Sequence, residues 1–315
     1  MKLQVTQLRL EAAGVISVTL RDPDGHRLPA WAAGAHLPIT LPSGRVRQYS
    51  LCGALDDPYS YTVAVLLVAD GRGGSREIHE QLRIGQILEV GEPKNNFELV
   101  EAPRYLFIAG GIGITPILAM MESLRAAGEE VPFRLVYGGR TRASMAFLDR
   151  LAGFGEVEVL PQDTHGIPDL ATAFAASAPG TRVYCCGPAP MLDAVQSLAA
   201  EHPDVFLHTE RFSAGAREAA EGAADDSAFD VELARTGVTV TVPEDTSVLD
   251  AVLAVAPETP YSCTAGFCGT CETKVLAGEV DHRDDLLTDE ERQANTTMMI
   301  CVSRALGNAK LTLDL

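Results

Sequence analysis

Four cysteines near the carboxyl end of the chain have the spacing of a metal-binding set. Cys263, Cys268 and Cys271 follow a C-x4-C-x2-C pattern, and Cys301 comes after twenty-nine intervening residues. This is the ligand spacing of a plant-type 2Fe–2S cluster, in which each tetrahedral iron needs two thiolates besides its bridging sulfides. A zinc site is the alternative, although such sites more often pair two C-x2-C units. The pattern predicts a centre that moves one electron at a time.

The residues between the first three cysteines are small, as a loop that wraps a cluster closely requires. They include Thr264, Ala265, Gly266 and Gly269. Glycine can adopt the positive φ angles that such a loop needs. The segment resembles the ferredoxin cluster loop, with Cys301 closing the site from far along the chain.

A second candidate site lies in an alternating segment, Arg47-Gln48-Tyr49-Ser50. On an extended strand, Arg47 and Tyr49 share one face and Ser50 faces the other way. A cation there can pair with a phosphate while an aromatic ring lies along a flat cofactor. The segment resembles the R-x-Y-S/T flavin signature of the ferredoxin-reductase superfamily, and the resemblance implies a Ser50 hydrogen bond near flavin N5. An ordinary amphipathic strand is the alternative.

A glycine-rich turn, Asp70 to Ser75, follows and precedes a predicted helix over about Arg76–Leu82. Free backbone N–H groups and the positive helix end favour anion binding there. We therefore expect Gly73, Gly74 and Ser75 to contact a phosphate, with Ser75 also capping the helix. A surface hairpin loop is the alternative.

Residues from about 102 to 212 alternate apolar strands with helices, which predicts a doubly wound parallel sheet. The first strand, Tyr105–Ala109, runs into a glycine-rich turn and a helix over Ile117–Ala127. Such a turn lets a dinucleotide pyrophosphate approach the backbone. The turn resembles the nicotinamide-binding turn of ferredoxin reductases, which implicates Gly110, Gly111, Gly113 and Thr115.

A second turn, Cys185-Cys186-Gly187-Pro188, ends a late strand of this region. By resemblance, Cys186, Gly187 and Pro188 match the family's C-G-P motif, whose cysteine lies against the nicotinamide ring. Cys185 is expected in the core. A buried structural thiol is the alternative for both cysteines.

Two arginines, Arg140 and Arg142, stand where such a fold places the adenosine ribose. They could contact a 2′-phosphate and favour NADPH, and no acidic residue is placed to accept the ribose hydroxyls. The family resemblance favours NADH, so we expect NADH as the donor, with NADPH as the alternative.

Composition and charge narrow the classes of function. The chain has 315 residues, a formal net charge of −18 and 46% hydrophobic residues, which suits two or three domains. Nucleic acid and anionic membranes are unfavourable partners for such an acidic chain. There is no apolar run of eighteen residues, no signal-peptide pattern, and seven cysteines, which together favour a reducing cytoplasm.

The acidic charge is concentrated in the cluster-bearing segment. Residues 229–315 hold fifteen Asp/Glu against six Lys/Arg, a net of −9. An acidic face could steer a protein partner with a basic patch, and plain solubility is the alternative. The most acidic stretch, Asp284 to Gln293, is expected at the surface.

The pattern along the chain predicts a multi-domain protein of α+β and α/β class. Residues 1–101 alternate as short strands between turn signals and predict an antiparallel β-barrel. By resemblance to the flavin-dependent ferredoxin reductases, this barrel is the FMN-binding domain. Residues 102–212 form the NAD-binding α/β domain, 213–228 a linker, and 229–315 a β-grasp 2Fe–2S ferredoxin domain. Within the last, a hairpin over 229–242 and a helix over Ser247–Val255 precede the cluster loop.

The order of these motifs resembles the family of phthalate dioxygenase reductase and vanillate demethylase reductases over nearly the whole chain. The resemblance implies FMN, NADH and a 2Fe–2S cluster, with Val65, Leu66 and Leu67 beside the flavin and Phe212 covering it. It implies catalytic roles for Ser50, Thr115 and Cys186. The implied cofactor-binding residues are Arg47, Gln48, Tyr49, Ser50, Val65, Leu66, Leu67, Gly73, Gly74, Ser75, Gly110, Gly111, Gly113, Thr115, Arg140, Cys186, Gly187, Pro188 and Phe212.

The expected function is that of an NAD(P)H-dependent reductase component. Hydride would pass from NADH to FMN, and single electrons would pass through the cluster to a terminal oxygenase that acts on aromatic-type substrates. The oxygenase could be a Rieske enzyme or a cytochrome P450, and the chain is expected to be a monomer. The alternative is a flavin reductase that acts directly on a small-molecule acceptor.

Overall fold

The computed structural model of the chain describes residues 1–68, 73–128, 131–212, 227–244, 246–261, 266, 269–284 and 286–315. The chain divides into two compact units, Met1–Phe212 and Ser213–Leu315. The division falls where the predicted nucleotide domain ends, and the finer domain boundaries stay predictions. Most of the predicted linker, residues 213–226, lies outside the described residues.

The first part of the larger unit is an antiparallel sheet of six strands. They are Lys2–Ala12 (β1), Val15–Arg21 (β2), His36–Thr40 (β3), Val46–Ser50 (β4), Ser60–Leu66 (β5) and Ile87–Val90 (β6). Their order is β4-β3-β6-β1-β2-β5, and a bridge between Leu51 and Val63 joins the two edges. The predicted antiparallel barrel is therefore confirmed. One helix, Gly74–Gln81 (α1), follows β5.

Alternation along these strands sends every second side chain into the barrel. In β1, Leu3 and Val5 are fully buried while Gln4 and Thr6 face outward. In β3, Leu37 and Ile39 are likewise buried in the barrel core. Period-two patterning of this kind is what a sheet with one buried face requires.

The second part of the larger unit is a parallel sheet of five strands. They are Tyr105–Gly110 (β7), Phe133–Gly139 (β8), Val157–Pro161 (β9), Arg182–Cys186 (β10) and Phe206–Glu210 (β11). The helices are Ile114–Ala126 (α2), Leu148–Leu151 (α3), Gln162–His165 (α4), Leu170–Ala175 (α5) and Ala189–Glu201 (α6). The strand order is β11-β10-β7-β8-β9, so the winding direction reverses between β7 and β10. The predicted doubly wound sheet is confirmed, and such a reversal is where these folds bind ligands.

The smaller unit has the expected ferredoxin-like pattern of strands around one helix. Its strands are Phe229–Leu233 (β12), Val238–Val242 (β13), Glu272–Ala277 (β14), Val280–Asp281 (β15), Thr297–Met299 (β16), Arg304–Ala305 (β17) and Leu311–Leu313 (β18). Five of them form a sheet in the order β13-β12-β18-β14-β16. The helices are Val248–Leu253 (α7) and Asp289–Ala294 (α8). Helix α7 is shorter than predicted, and Ser247 caps it by accepting a hydrogen bond from the Asp250 amide.

One surface prediction in this unit is wrong. Asp284 was expected in an exposed acidic stretch, but only 1% of it is accessible. Its Oδ2 accepts hydrogen bonds from the amides of Leu286 and Leu287, which satisfy this oxygen of the buried side chain. Helix α8, just beyond, is exposed as expected.

Within the described ranges, none of the helices combines the length and the apolar character needed to cross a bilayer.

A buried arginine ties together the start of the smaller unit. Arg304 is 6% exposed, and its guanidinium donates to the carbonyls of Thr246 at 2.7 Å, Pro243 at 3.0 Å and Ser227 at 3.2 Å. It also lies 5.0 Å from the ring centre of Phe229. A buried cation is stable only with such partners, so Arg304 organises several segments at once.

Replacing Arg304 with Met should lower the free energy of unfolding of this unit by about 2–4 kcal/mol, because three carbonyls lose their donor. Denaturant unfolding followed by the visible absorbance of the holoprotein measures the change. The control is Arg235→Met, which removes an exposed bidentate pair with Asp314 and should leave the midpoint unchanged. Equal effects of the two substitutions would contradict the role given to Arg304.

Candidate functional site

The side chain of Arg47 lies against the first turn of helix α1. An ideal Cβ built on Gly74 would stand 2.8 Å from Arg47 Nε and 2.9 Å from its Cγ, so a larger residue there would displace the Arg47 side chain. Gly73 caps the helix with a φ of 82°, which favours glycine. Unpaired N–H groups at a helix start and a neighbouring guanidinium together suit a phosphate. This cradle fits the phosphate end of a flavin nucleotide.

The predicted capping role of Ser75 is wrong. The helix begins at Gly74, so Ser75 lies inside the first turn, and no side chain caps the helix. The Ser75 hydroxyl accepts a hydrogen bond from the Val68 amide at 3.1 Å instead. Ser75 therefore holds the entry of the turn, whose residues 69–72 lie outside the described part.

A buried carboxylate that the sequence analysis missed lies beside this cradle. Glu77 of α1 accepts from the Ser43 amide at 2.8 Å and from the Ser43 hydroxyl at 2.5 Å, and it pairs with Arg45 at 3.5 Å. It is 5% exposed. Its negative charge holds the loop before β4 against the helix that carries the glycines.

Strand β4 presents the predicted flavin residues on alternate faces. Register with β3 places Arg47 and Tyr49 opposite Ile39 and Leu37, whereas Gln48 and Ser50 lie opposite Pro38 and His36. The Tyr49 ring packs against the barrel core, and this burial raises the pKa of its hydroxyl. Tyr49 is therefore a neutral aromatic surface at any physiological pH.

The apolar side chains at the end of β5 become more exposed from Val65 to Leu67. Val65 is packed in the barrel core, and its carbonyl lies 2.9 Å from His79 Nε2. Leu66 is partly buried, and Leu67 is 40% exposed. The side-chain surface available to a ligand here comes from Leu66 and Leu67.

Two glycine turns meet where the winding of the parallel sheet reverses. A Cβ on Gly113 would overlap the Cys186 carbonyl, and one on Gly110 would stand 2.5 Å from Pro188 Cδ. Gly111 has a φ of 55° and open space around it, so its backbone is accessible. This crevice fits the pyrophosphate of a dinucleotide, since a backbone without side chains lets the phosphates approach.

Thr115 lies in the first turn of α2 and is 1% exposed. Its hydroxyl donates to the Ile112 carbonyl at 3.0 Å, so it holds the shape of the glycine turn. A role for Thr115 in catalysis stays a prediction.

The adjacent cysteines at the end of β10 point into different cores. Cys185 packs in the cluster around Leu106 and Val183, and Cys186 packs in the cluster around Ala109 and Phe97. Both are fully buried. Burial raises the pKa of the Cys185 thiol to about 12 and that of Cys186 well above its usual value, so both remain neutral thiols.

Glu210 was not singled out by its sequence, and it lies next to two residues that were. It ends β11 directly opposite Cys186 in the parallel ladder. Burial raises the pKa of Glu210 to about 8, and the nearby Ser50 hydroxyl partly offsets this rise. Glu210 Oε2 and Ser50 Oγ are both buried with no hydrogen-bond partner in the part of the chain that the structure describes. A ligand at this point would meet two buried oxygen groups, the Ser50 hydroxyl and the Glu210 carboxyl, that can still form hydrogen bonds.

The remaining predicted nucleotide residues lie at the rim of this region. Arg140 and Arg142 are exposed just beyond β8. Phe212, at the end of the larger unit, is 37% exposed. Contact between these side chains and a nucleotide stays a prediction.

Two of the four predicted cluster ligands lie together in the smaller unit. Glu272 of β14 pairs with Met299 of β16, which brings Cys271 and Cys301 to the same end of this ladder. Both are buried cysteines in one core cluster. Cys263 and Cys268 lie outside the described residues.

Gly266 lies against the turn that carries Cys301. Gly266 has a φ of 76°, and its ideal Cβ would stand 2.7 Å from Val302 Cγ2. Gly269 also has a positive φ of 71°. The loop glycines and the two converging thiols fit a 2Fe–2S cluster, which needs sulfur ligands from a tight loop and from a distant turn.

Comparison with known proteins agrees with this geometry. Residues 107–197 match the model of the oxidoreductase NAD-binding domain, and residues 231–306 match that of the 2Fe-2S iron-sulfur cluster binding domain. The solved structure of phthalate dioxygenase reductase is 36% identical, with a TM-score of 0.73, over 100% of this chain and 98% of that one. The chain belongs to the phthalate dioxygenase reductase family. Its cofactors are accordingly FMN, NADH and a 2Fe–2S cluster, and it is an NAD(P)H-dependent flavin and iron–sulfur oxidoreductase.

Other relatives widen the family. The phenoxybenzoate dioxygenase subunit beta of Ectopseudomonas oleovorans is 42% identical over 99% of this chain and 97% of its own length. The tetrachlorobenzoquinone reductase of Sphingobium chlorophenolicum is 40% identical over 99% of this chain and 97% of its own length. A type IV self-sufficient cytochrome P450 monooxygenase has a TM-score of 0.88 and 45% identity, and this chain spans 41% of that polypeptide.

Substituting Gly113 with Ala should disrupt the crevice, because the added Cβ would overlap the Cys186 carbonyl. We expect a loss of about 2–4 kcal/mol in unfolding free energy and at least a tenfold higher KM for NADH. Thermal unfolding and steady-state kinetics measure both. Gly155→Ala is the control, since nothing lies within 4 Å of its Cβ position. Wild-type behaviour of Gly113→Ala would refute the close approach.

The raised pKa of Glu210 predicts a pH-dependent stability. The unfolded chain ionises this carboxyl near pH 4.5, whereas the folded chain keeps the proton up to about pH 8. The stabilisation is therefore complete below about pH 4.5 and is lost as the pH rises to about 8. As the pH rises from about 4.5 to about 8, the melting temperature of the wild type should fall relative to that of Glu210→Gln. The exposed Glu201→Gln should follow the wild-type profile, and a flat difference between wild type and Glu210→Gln would contradict the assignment.

Proposed function

We propose that this chain takes hydride from NADH at the junction of barrel and parallel sheet, and delivers single electrons from its cluster to a separate terminal oxygenase. The convergence of Ser50, Cys186 and Glu210 at the carboxyl edge of the sheet carries the proposal. In that arrangement the flavin strand meets the nicotinamide turn, and the groups there are uncharged at neutral pH.

Each predicted residue has a defined task in this proposal. Arg47, with Gly73 and Gly74, holds the flavin phosphate. Tyr49 and Leu66 provide apolar surface for the ring system, and Ser50 offers a hydrogen bond to its edge. The nucleotide is held by Gly110, Gly111, Gly113, Thr115, Arg140, Cys186, Gly187 and Pro188. Bound flavin accepts two electrons together and releases them singly, which neither nicotinamide nor the cluster can do alone.

The proposed hydride site contains a carboxyl group, that of Glu210, which is protonated and therefore uncharged near pH 7. Glu210 retains its proton near pH 7, because burial penalises the carboxylate. Ser50 lies beside it, and Cys186 contributes a neutral thiol on the neighbouring strand. These three side chains would orient the reacting rings and keep a proton near them. Because all three are neutral near pH 7, they would add no charge to the site.

The proposed partner is an oxygenase on another polypeptide. The phenoxybenzoate relative is named as a subunit of a dioxygenase, and its length matches this chain almost completely. We therefore favour a Rieske-type dioxygenase for aromatic acids, and a cytochrome P450 is the second option because of the fused relative. The acidic cluster-bearing segment, with a net charge of −9, suits a basic docking face. We further propose a monomer in a reducing, cytoplasmic setting, which the free cysteines support.

Direct reduction of a quinone is the second candidate function. The tetrachlorobenzoquinone reductase relative, which matches this chain over nearly its full length, favours it. In this case electrons would leave at the flavin site without passing through the cluster.

Replacing Cys268 with Ser separates the two functions. Cytochrome c reduction should fall about a hundredfold or more, because the one-electron outlet is lost, while NADH-dependent bleaching of the flavin should stay within about twofold. Cys52→Ser is the matched control, since its side chain can keep the hydrogen bond to the Thr62 carbonyl.

The same variant is then assayed with tetrachlorobenzoquinone as acceptor. Quinone turnover that survives in Cys268→Ser would favour the second function, and turnover that falls with cytochrome c reduction would favour the electron relay. Cytochrome c reduction at the wild-type rate in Cys268→Ser would refute the relay itself.

A further inference from the structure

An arginine that is not among the predicted site residues joins the two halves of the larger unit. Arg150 belongs to α3, between β8 and β9 of the parallel sheet. Its Nη1 donates to the carbonyl of Cys52 at 2.7 Å, on the barrel side. Its Nε and Nη2 donate to the two carboxylate oxygens of Glu122 in α2, at 3.0 and 2.6 Å. One planar guanidinium thus holds a barrel segment and a helix of the nucleotide half.

The barrel end of this connection is the segment that carries Ser50. Cys52 is two residues beyond Ser50 and is fully buried. Its amide donates to the Thr62 carbonyl at 2.9 Å, so both of its backbone groups are engaged once Arg150 binds the carbonyl. Any movement of this carbonyl would be passed along the backbone to Ser50.

The other end of the connection is the helix that begins at the glycine crevice. Glu122 lies seven residues after Thr115 in α2, which corresponds to two helical turns, or about 10 Å. The first eight residues of α2 are all buried, so the helix moves as a rigid rod. A pull on Glu122 therefore shifts the turn that contains Gly113.

The local backbone aims Arg150 at this position. Phe147, just before α3, has a φ of 63°, in the left-handed region that bulky residues adopt rarely. Its ring is buried in the core shared by both halves, and the Arg150 guanidinium lies 5.3 Å from the ring centre. A strained conformation that burial maintains is typical of a segment with a positional task.

The surroundings leave this connection exposed to solvent on one side. Arg150 lines a groove of about 590 Å³ whose walls are Gln7 and Thr62 of the barrel and Arg125 of α2. The side chains that face each other across this groove are largely polar, so the hydrogen bonds of Arg150 contribute to the alignment of the two halves there.

From these contacts we infer that Arg150, oriented by Glu122, is a positioning residue that sets the alignment of the Ser50 segment with the glycine crevice. The inference rests on the proposed function, because the alignment matters only if hydride crosses between these two places. Among the described residues, the hydrogen-bond and ring partners of Arg150 are Glu122, Cys52 and Phe147, which are not predicted to bind flavin or nucleotide.

The first test compares Arg150→Met with Arg134→Met. Arg134 is a matched control, because it also pairs with a carboxylate, Glu158, through Nε and Nη2, but entirely within the parallel sheet. In the flavin-loaded protein, Arg150→Met should lower the rate of flavin reduction at saturating NADH about tenfold or more, because small misplacements of reacting groups are costly. The NADH concentration for half-saturation should change less than about threefold, because binding contacts remain. Arg134→Met should stay within about twofold in both quantities.

Amide hydrogen exchange provides a readout that does not depend on turnover. In Arg150→Met, the amide hydrogens of peptides covering residues 49–54 and 114–122 should exchange at least about fivefold faster than in the wild type. In Arg134→Met, the exchange rates of the same peptides should be unchanged. Should Arg150→Met fail to fold, Arg150→Lys and Glu122→Gln provide the same comparison. Arg150→Lys keeps the charge and one donor, so it should restore part of the lost rate.

Two outcomes overturn the inference. In one, the folded variants reduce flavin within about twofold of wild type; in the other, they lose rate with no change in exchange at either peptide. A wild-type protein that cannot reduce its flavin with NADH or NADPH would instead refute the proposed function, so the two failures are distinguishable.

Discussion

The close approach of two backbone turns at the centre of the parallel sheet is the constraint on which the larger unit depends. Gly113 leaves no room for a side chain beside the Cys186 carbonyl, and Gly110 has the same relation to Pro188. Because β7 and β10 are neighbours where the winding reverses, their turns open one crevice. On the other side of β10, pairing with β11 places Glu210 opposite Cys186 at the edge of that crevice.

The larger unit separates charged recognition from uncharged chemistry. At one end of the barrel, Arg47 and the start of α1 present positive charge that suits a phosphate. Where the barrel meets the sheet, burial keeps Cys186 and Glu210 neutral near pH 7. A hydride carries both electrons of the transferred bond, and the side chains that meet at this place add no fixed charge of their own.

The smaller unit must accommodate negative charge, because a cluster bound by thiolates adds to the charge of a domain that is already acidic. Its sheet ends bring Cys271 and Cys301 to one place, and loop glycines with positive φ lie beside them. Elsewhere in the unit, the buried guanidinium of Arg304 is satisfied by three backbone carbonyls. The acidic side chains of α8 remain on the surface, where a partner can meet them.

The sequence by itself determined the cysteine spacing, the alternation of Arg47 to Ser50, the glycine turns and the order of sheet types, because each depends on residues close along the chain. It misjudged Ser75 and Asp284, whose environments depend on where the first helical turn begins and on which amides a carboxylate meets. Only the tertiary structure decided that Glu210 lies beside Ser50 and Cys186, and that Arg150 reaches Cys52. Strand pairing and burial between distant segments set these contacts and the protonation of Glu210, and no local pattern encodes either.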